Sequence, residues 1–223
     1  MIAEEPLPDD VDRVLAAALR LVDAEGLPAL TMRRLAQDMG IDAMSLYRYT
    51  PTHDALVGAL AETVMSQLAV PDVSREWQGQ LRAIAHDFRR LTLLHPNVVP
   101  VLVTRPLLTP LAVRPLRALR YLERFLQLLT NAGFAVTDIL PISRSFFGFL
   151  YGHVLTELHQ SVIERNEADH LQQLGLQDLP AESFPVMHML ADRLATYDGA
   201  ADLDRGLDTL ILAISHQLSE ANE

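Results

Sequence analysis

Apolar residues recur at helical spacing through nearly the whole chain, and this constrains its fold more than any other feature. Val11, Val14, Leu15, Ala18, Leu19 and Val22 follow the i, i+3, i+4, i+7 pattern of one buried helix face. Met32, Leu35, Ala36 and Met39 repeat it on a shorter scale, and Val57, Leu60, Ala61, Val64 and Leu68 repeat it again. Strand signals are weak: β-branched residues seldom alternate with polar ones, and no Asn-Gly or Asp-Gly turn joins two apolar runs. The spacing predicts an all-α protein.

Breakers and caps divide the periodic stretches. Asp9 or Asp10 can cap the first helix and Gly26 stops it; Thr31 caps a second, which Gly40 ends. Asp42 caps a third, expected over 43 to about 49, and Pro51-Thr52 opens a fourth. Residues 70–74 read as the joint between a small N-terminal domain (9–69) and a larger helical body (75–220). In the body, helices are expected over 77–94, 116–131, 137 to about 163, 184–196 and 202–219. Pro96, Pro100, Pro106, Pro110 and Pro115 break the segment after the first of these into short pieces. Residues 164–183 are polar and acidic, with Gly175 and Pro180, and read as a long loop.

Composition narrows the function classes. With 49% apolar and 21% charged residues the chain has the make-up of a folded globular protein. No apolar run reaches the roughly 18–20 residues of a membrane span, and the acidic, Pro-rich first ten residues resemble neither a signal nor a transit peptide. Cysteine is absent, which excludes disulfide scaffolds, Cys-zinc sites and thiol catalysis. A cytoplasmic protein without cofactor is expected. The net charge of −11 argues at first against nucleic acid, but its distribution does not. All 18 basic residues are Arg; residues 26–53 hold Arg33, Arg34 and Arg48 against Asp38 and Asp42, so the acids lie mainly elsewhere.

Two short helices joined by a turn at a glycine have the spacing of a helix-turn-helix, here 33–39, Gly40 and 42–49. The second would expose Ala43, Met44, Ser45, Tyr47, Arg48 and Tyr49, side chains suited to base edges, thymine methyls and phosphates. The same spacing also suits an ordinary helical hairpin. The residues themselves decide: Leu30-Thr31-Met32-Arg33-Arg34-Leu35-Ala36-Gln37-Asp38-Met39-Gly40-Ile41, then Ser45-Leu46-Tyr47-Arg48-Tyr49 and Ala55-Leu56, resemble the DNA-binding domain of the tetracycline-repressor (TetR) family over about residues 10–68. That resemblance implies DNA contacts from Thr31, Met32 and Arg33 at the start of helix two, with Arg33 reading a base. It implies groove contacts from Ala43, Met44 and Ser45, and phosphate contacts from Tyr47, Arg48, Tyr49 and the start of helix four. Many members carry Lys at that start; this chain has His53, whose neutral ring donates one hydrogen bond and no charge.

In the body, Phe146, Leu150 and Val154 share one stripe, and Leu207, Leu210, Ile211 and Ile214 another. Monomer core is one reading. The resemblance implies another, a four-helix dimer interface built from the eighth and last helices. It extends weakly to the tetracycline-binding members through Trp77-Gln78, Phe88, Thr104-Arg105-Pro106, Gly133-Phe134 and Gly152-x-Val154. Phe88 and Thr104 then match drug-contacting positions, whereas Ala69, Ile84 and Phe125 stand where polar drug contacts are expected. Val101 replaces a metal-binding His, and Thr156 replaces a Glu that holds a metal-bound water. The implied effector is a hydrophobic small molecule bound without metal, in a pocket of Ile84, Phe88, Val101, Thr104, Arg105, Leu107, Leu108, Tyr121, Phe125, Phe149, His153 and Thr156. The expected partners are thus a double-stranded operator, a second copy and this effector.

Two other classes have some footing in the sequence. His153 and Glu157 are i, i+4, and Glu167-x-x-His170 has carboxylate-bundle spacing, but a di-iron bundle needs two such pairs and two further carboxylates. No His-Glu-x-x-His, Gly-x-Ser-x-Gly, P-loop or dinucleotide fingerprint occurs. A helical interaction protein with degenerate DNA binding is the other alternative, resting on the acidic charge and His53.

Overall fold

The computed structural model describes residues 8–104, 116–167, 180–194 and 196–220, and contains no strand among them. The helices are α1 (Pro8–Glu25), α2 (Met32–Met39), α3 (Ala43–Leu46), α4 (His53–Met65), α5 (Trp77–Leu94), α6 (Val99–Thr104), α7 (Leu116–Asn131), α8 (Val136–Glu167), α9 (Pro185–Met189), α10 (Ala191–Leu194) and α11 (Gly199–Glu220). Single 3-10 turns over Leu27–Ala29 and Pro96–Val98 precede α2 and α6.

The first helix begins at Pro8, so Asp9 and Asp10 lie within its first turn instead of capping it. Their charge still complements the helix N-terminus. Gly26, at φ 84°, takes the chain out of α1 in a backbone conformation that other residues resist. The expected apolar faces converge: Val14, Ala18, Val22, Leu35, Leu46, Leu56, Leu60 and Val64 are buried together. Each such Leu or Val stabilises the fold by about 1.5–3 kcal/mol relative to exposure.

Helix α5 buries Trp77, Leu81, Ile84, Ala85, Phe88 and Leu91. Trp77 meets Phe134 edge-on at 5.2 Å. The turn after α5 reaches back to the end of α1. His95 Nδ1 lies 2.9 Å from Asp23 Oδ2, and the Asn97 amide donates to the carbonyls of Val22 (2.9 Å) and Asp23 (3.3 Å). These contacts explain why the compact units, Met1–Ile139 and Leu140–Glu223, do not divide at the joint near residue 70.

In the second unit the sequence expectations shift at helix ends. Helix α8 runs through Pro141, near its start, and past residue 163 to Glu167. The stretch 184–196 is two short helices broken at Leu190, not one. Helix α11 starts at Gly199 because Asp198 caps it, its Oδ1 accepting from Ala201 N at 3.0 Å. Helices α8 and α11 run antiparallel in tight contact. A Cβ on Gly199 would stand 2.2 Å from Glu157 Oε1, and one on Gly206 would stand 2.5 Å from Phe149 Cζ. No helix among the described residues is long and apolar enough to cross a membrane.

Candidate DNA-binding surface

The reading face is built from capped ends. Thr31, extended at φ −121°, accepts on Oγ1 from Arg34 N at 3.1 Å and starts α2. Gly40 ends it in the left-handed region at φ 67°, and Ile41 N returns to Ala36 O at 3.0 Å. That pair of features is a Schellman cap. No atom lies within 4 Å of a Cβ built on Gly40, so backbone conformation and not crowding requires glycine. Asp42 then accepts on Oδ2 from Met44 N at 3.1 Å and starts α3. The third helix is one turn long, not the two expected. Arg48 N bonds to Ser45 O and Tyr49 N to Leu46 O in a tightened i→i+3 pattern, carrying Tyr47, Arg48 and Tyr49 on a turn.

Burial sorts the expected DNA contacts. Met44 is 71% exposed and Tyr47 47% exposed, while Thr31, Arg33 and Arg48 are exposed as well. Ala43, Ser45 and Tyr49 are half-buried at the edge of the same surface. Met32 does not belong to this set: it is buried, pointing inward beside Leu35 and Ala36 on the inner face of α2. Leu46 anchors the short third helix from beneath. Arg34 holds Glu25 at the end of α1 at 2.6 Å, and this hydrogen bond pushes its guanidinium further above the ordinary arginine range. Arg33 and Arg48 are therefore the cations this surface presents to solvent without an acid partner in hydrogen-bond contact among the described residues.

His53 departs from its expected role as a simple phosphate donor. Thr52 caps α4, its Oγ1 accepting from Ala55 N at 3.0 Å, and the Thr50 hydroxyl donates to Thr52 O at 3.1 Å. This fixes the His53 ring, which donates from Nε2 to the Leu30 carbonyl at 2.6 Å. The one N–H of a neutral His53 is already engaged by the protein.

The body residues fall into two groups, one in each compact unit. In the first, Ile84, Phe88, Val101, Tyr121 and Phe125 are all buried; Thr104 is exposed, its hydroxyl donating to Pro100 O at 2.8 Å. Arg105, Leu107 and Leu108 lie outside the described residues, as does His170 of the Glu-x-x-His spacing. In the second, Phe149 packs on Gly206 and lies tilted beside His153, with ring centroids 6.1 Å apart. His153 Nε2 lies 3.5 Å from Glu157 Oε2, both side chains over nine-tenths buried. Glu157 abuts the start of α11. Thr156 faces outward, bonded to the Gly152 carbonyl at 2.9 Å, and is no pocket wall in the single chain.

Phe146, Leu150, Val154, Leu207, Ile211 and Ile214, expected at a dimer interface, are buried within one chain, and Leu210 is half-buried. The sequence also gave no notice of an open groove of about 450 Å³ lined by Arg193, Thr196, Tyr197, Asp198, Asp202 and Arg205. Nor did it show the pairings of His95 with Asp23 and of Arg34 with Glu25. Contacts between residues so far apart in sequence leave no local signal. Among the described residues no three His, Asp or Glu side chains gather as metal ligands.

Known proteins resemble both halves of the chain. The family "Bacterial regulatory proteins, tetR family" matches residues 14–60, and "Tetracyclin repressor-like, C-terminal domain" matches 70–218. The class E tetracycline repressor protein of Escherichia coli is 30% identical over 214 residues, covering 94% of this chain and 92% of that one. The HTH-type transcriptional repressor DrrR1 of Streptomyces coeruleorubidus is 31% identical over 157 residues, 70% of this chain; the match spans only 56% of that repressor's length. Among solved structures, the Streptomyces coelicolor TetR family protein ActR in complex with actinorhodin superposes with a TM-score of 0.78 at 27% identity, covering 96% of this chain and 99% of ActR.

Proposed function

The chain belongs to the tetR family of bacterial regulatory proteins, DNA-binding transcriptional regulators and not enzymes, and on that premise we propose that it represses transcription from a palindromic operator until a small molecule releases it. The observation that carries the reading is the surface of α2, α3 and the following turn. Arg33, Met44, Tyr47 and Arg48 stand exposed on a scaffold whose three helix starts are each held by a side-chain cap. One turn of α3 offers few contacts, so two copies reading two half-sites supply what one cannot. Such a protein works in the cytoplasm, beside the chromosome.

The second copy needs a face that the single chain leaves open. Along α8 the exposed residues Gly148, Gly152, Leu155 and Thr156 offer such a face, and along α11 Leu212 is 68% exposed. Cβ atoms on Gly148 and Gly152 would meet nothing within 4 Å, which leaves room for another helix to approach closely.

For the effector, the apolar and buried character of Ile84, Val101 and Phe125 supports a hydrophobic ligand held without metal. Actinorhodin, found with ActR, is the first compound to try.

Fluorescence anisotropy on the duplex flanking the gene, against a scrambled duplex and at several salt concentrations, tests the reading. Tight binding that depends on the palindrome, with a shallow salt slope, is expected. Equal weak binding to both duplexes would leave a helical protein with degenerate DNA binding.

A further inference from the structure

We propose that His53 joins the operator contact only in its protonated form, so that operator binding takes up one proton at this position in each protomer. The inference rests on the operator reading above and on the ring's fixed geometry. A carbonyl oxygen only accepts, so the 2.6 Å contact with Leu30 O assigns the ring hydrogen of neutral His53 to Nε2. Nδ1 is then a bare lone pair, with no protein partner among the described residues, on an exposed side chain at the start of α4. A lone pair facing a phosphate is repelled. Adding one proton reverses this: Nδ1 becomes a donor, the ring gains a charge, and the bond to Leu30 O becomes charge-assisted and stronger.

On α4 the adjacent acid is Asp54, and on α2 the charged groups are Arg33, Arg34 and Asp38. Arg34 is paired with Glu25 at the end of α1. Arg48, on the turn after α3, adds a cation, and Asp42 is engaged as the cap of α3. The bound phosphate is the new charge that tips the ring. The Leu30 bond also ties the entry of α4 to the entry of α2.

The test uses the full-length protein and a palindromic duplex that the wild type itself selects from a randomised pool at pH 6. Affinity for that duplex is measured from pH 6 to pH 8 for wild type, His53→Gln and His53→Lys. The glutamine amide can still donate to Leu30 O but cannot titrate, so it separates proton uptake from loss of the tie. Wild type is expected to bind about tenfold more tightly at pH 6 than at pH 8. His53→Gln is expected to be flat and weak, and His53→Lys flat and tight. A pH dependence that persists unchanged in His53→Gln would assign it to another group and overturn the proposal, and so would a flat wild-type profile. If no duplex is selected at all, the operator reading fails first and takes this inference with it.

Discussion

The two ends of the chain are both helical, yet they are held by different means. In α1–α4 most helix boundaries are written locally: Thr31, Asp42 and Thr52 each act within three residues of themselves, and Gly40 within four. In α8 and α11 the decisive contacts are glycines set against side chains roughly fifty residues away, Gly206 against Phe149 and Gly199 against Glu157. Local marks fix where a short helix starts and stops; absent side chains fix how closely two long helices approach. A small reading head needs the first kind of control, because its few exposed side chains must be aimed. A paired-helix body needs the second.

Substitutions can break or sharpen this contrast. The largest effect is expected from Leu35→Ala, which empties a fully buried position in the N-terminal core and should cost about 2–5 kcal/mol in denaturant unfolding. Gly206→Ala pushes a methyl into the Phe149 ring and should cost about 1–3 kcal/mol, with loss concentrated in the α8–α11 pair by hydrogen exchange. If Gly206→Ala proves neutral, the close approach is not what holds that pair. Arg33→Ala should leave the melting temperature nearly unchanged, weaken operator binding by about 1–3 kcal/mol and relax one base position. Unchanged affinity and unchanged sequence preference would refute its role. Thr31→Ala removes one cap and should cost about 1 kcal/mol in stability. Last, Gly79→Ala in α5, where a Cβ meets nothing within 4 Å, should stabilise by up to about 1 kcal/mol, the opposite sign to Gly206→Ala.

The contrast also explains what was legible in the sequence. Periodicity and caps gave the all-α class, the reading head and most helix starts, because those signals act over a few residues. They misplaced the length of α3, since the i→i+3 bonds after Leu46 depend on the turn geometry before Pro51. Met32 lies between the exposed Thr31 and Arg33, and one step around the helix turns it inward. The apolar stripes of α8 and α11 were visible, but a stripe does not say whether its cover comes from the same chain or from another. In the single chain Phe146, Leu150, Val154 and Leu207 are buried, whereas Gly148, Gly152, Leu155 and Leu212 are exposed.

The grip of Asn97 on the carbonyls of Val22 and Asp23 bears on how portable the reading head is. The last carbonyls of a helix have no partner within it; here Gly26 N meets that of Val22 at 2.8 Å, and a side chain from beyond α5 adds a second donor there and reaches the carbonyl of Asp23. A fragment ending near residue 70 would lose that partner along with the His95–Asp23 contact, and its first helix would fray from the end that leads into α2. A hybrid regulator that grafts this head onto a foreign body should therefore carry His95 and Asn97 with it, or the graft will aim its recognition turn less well than the parent does.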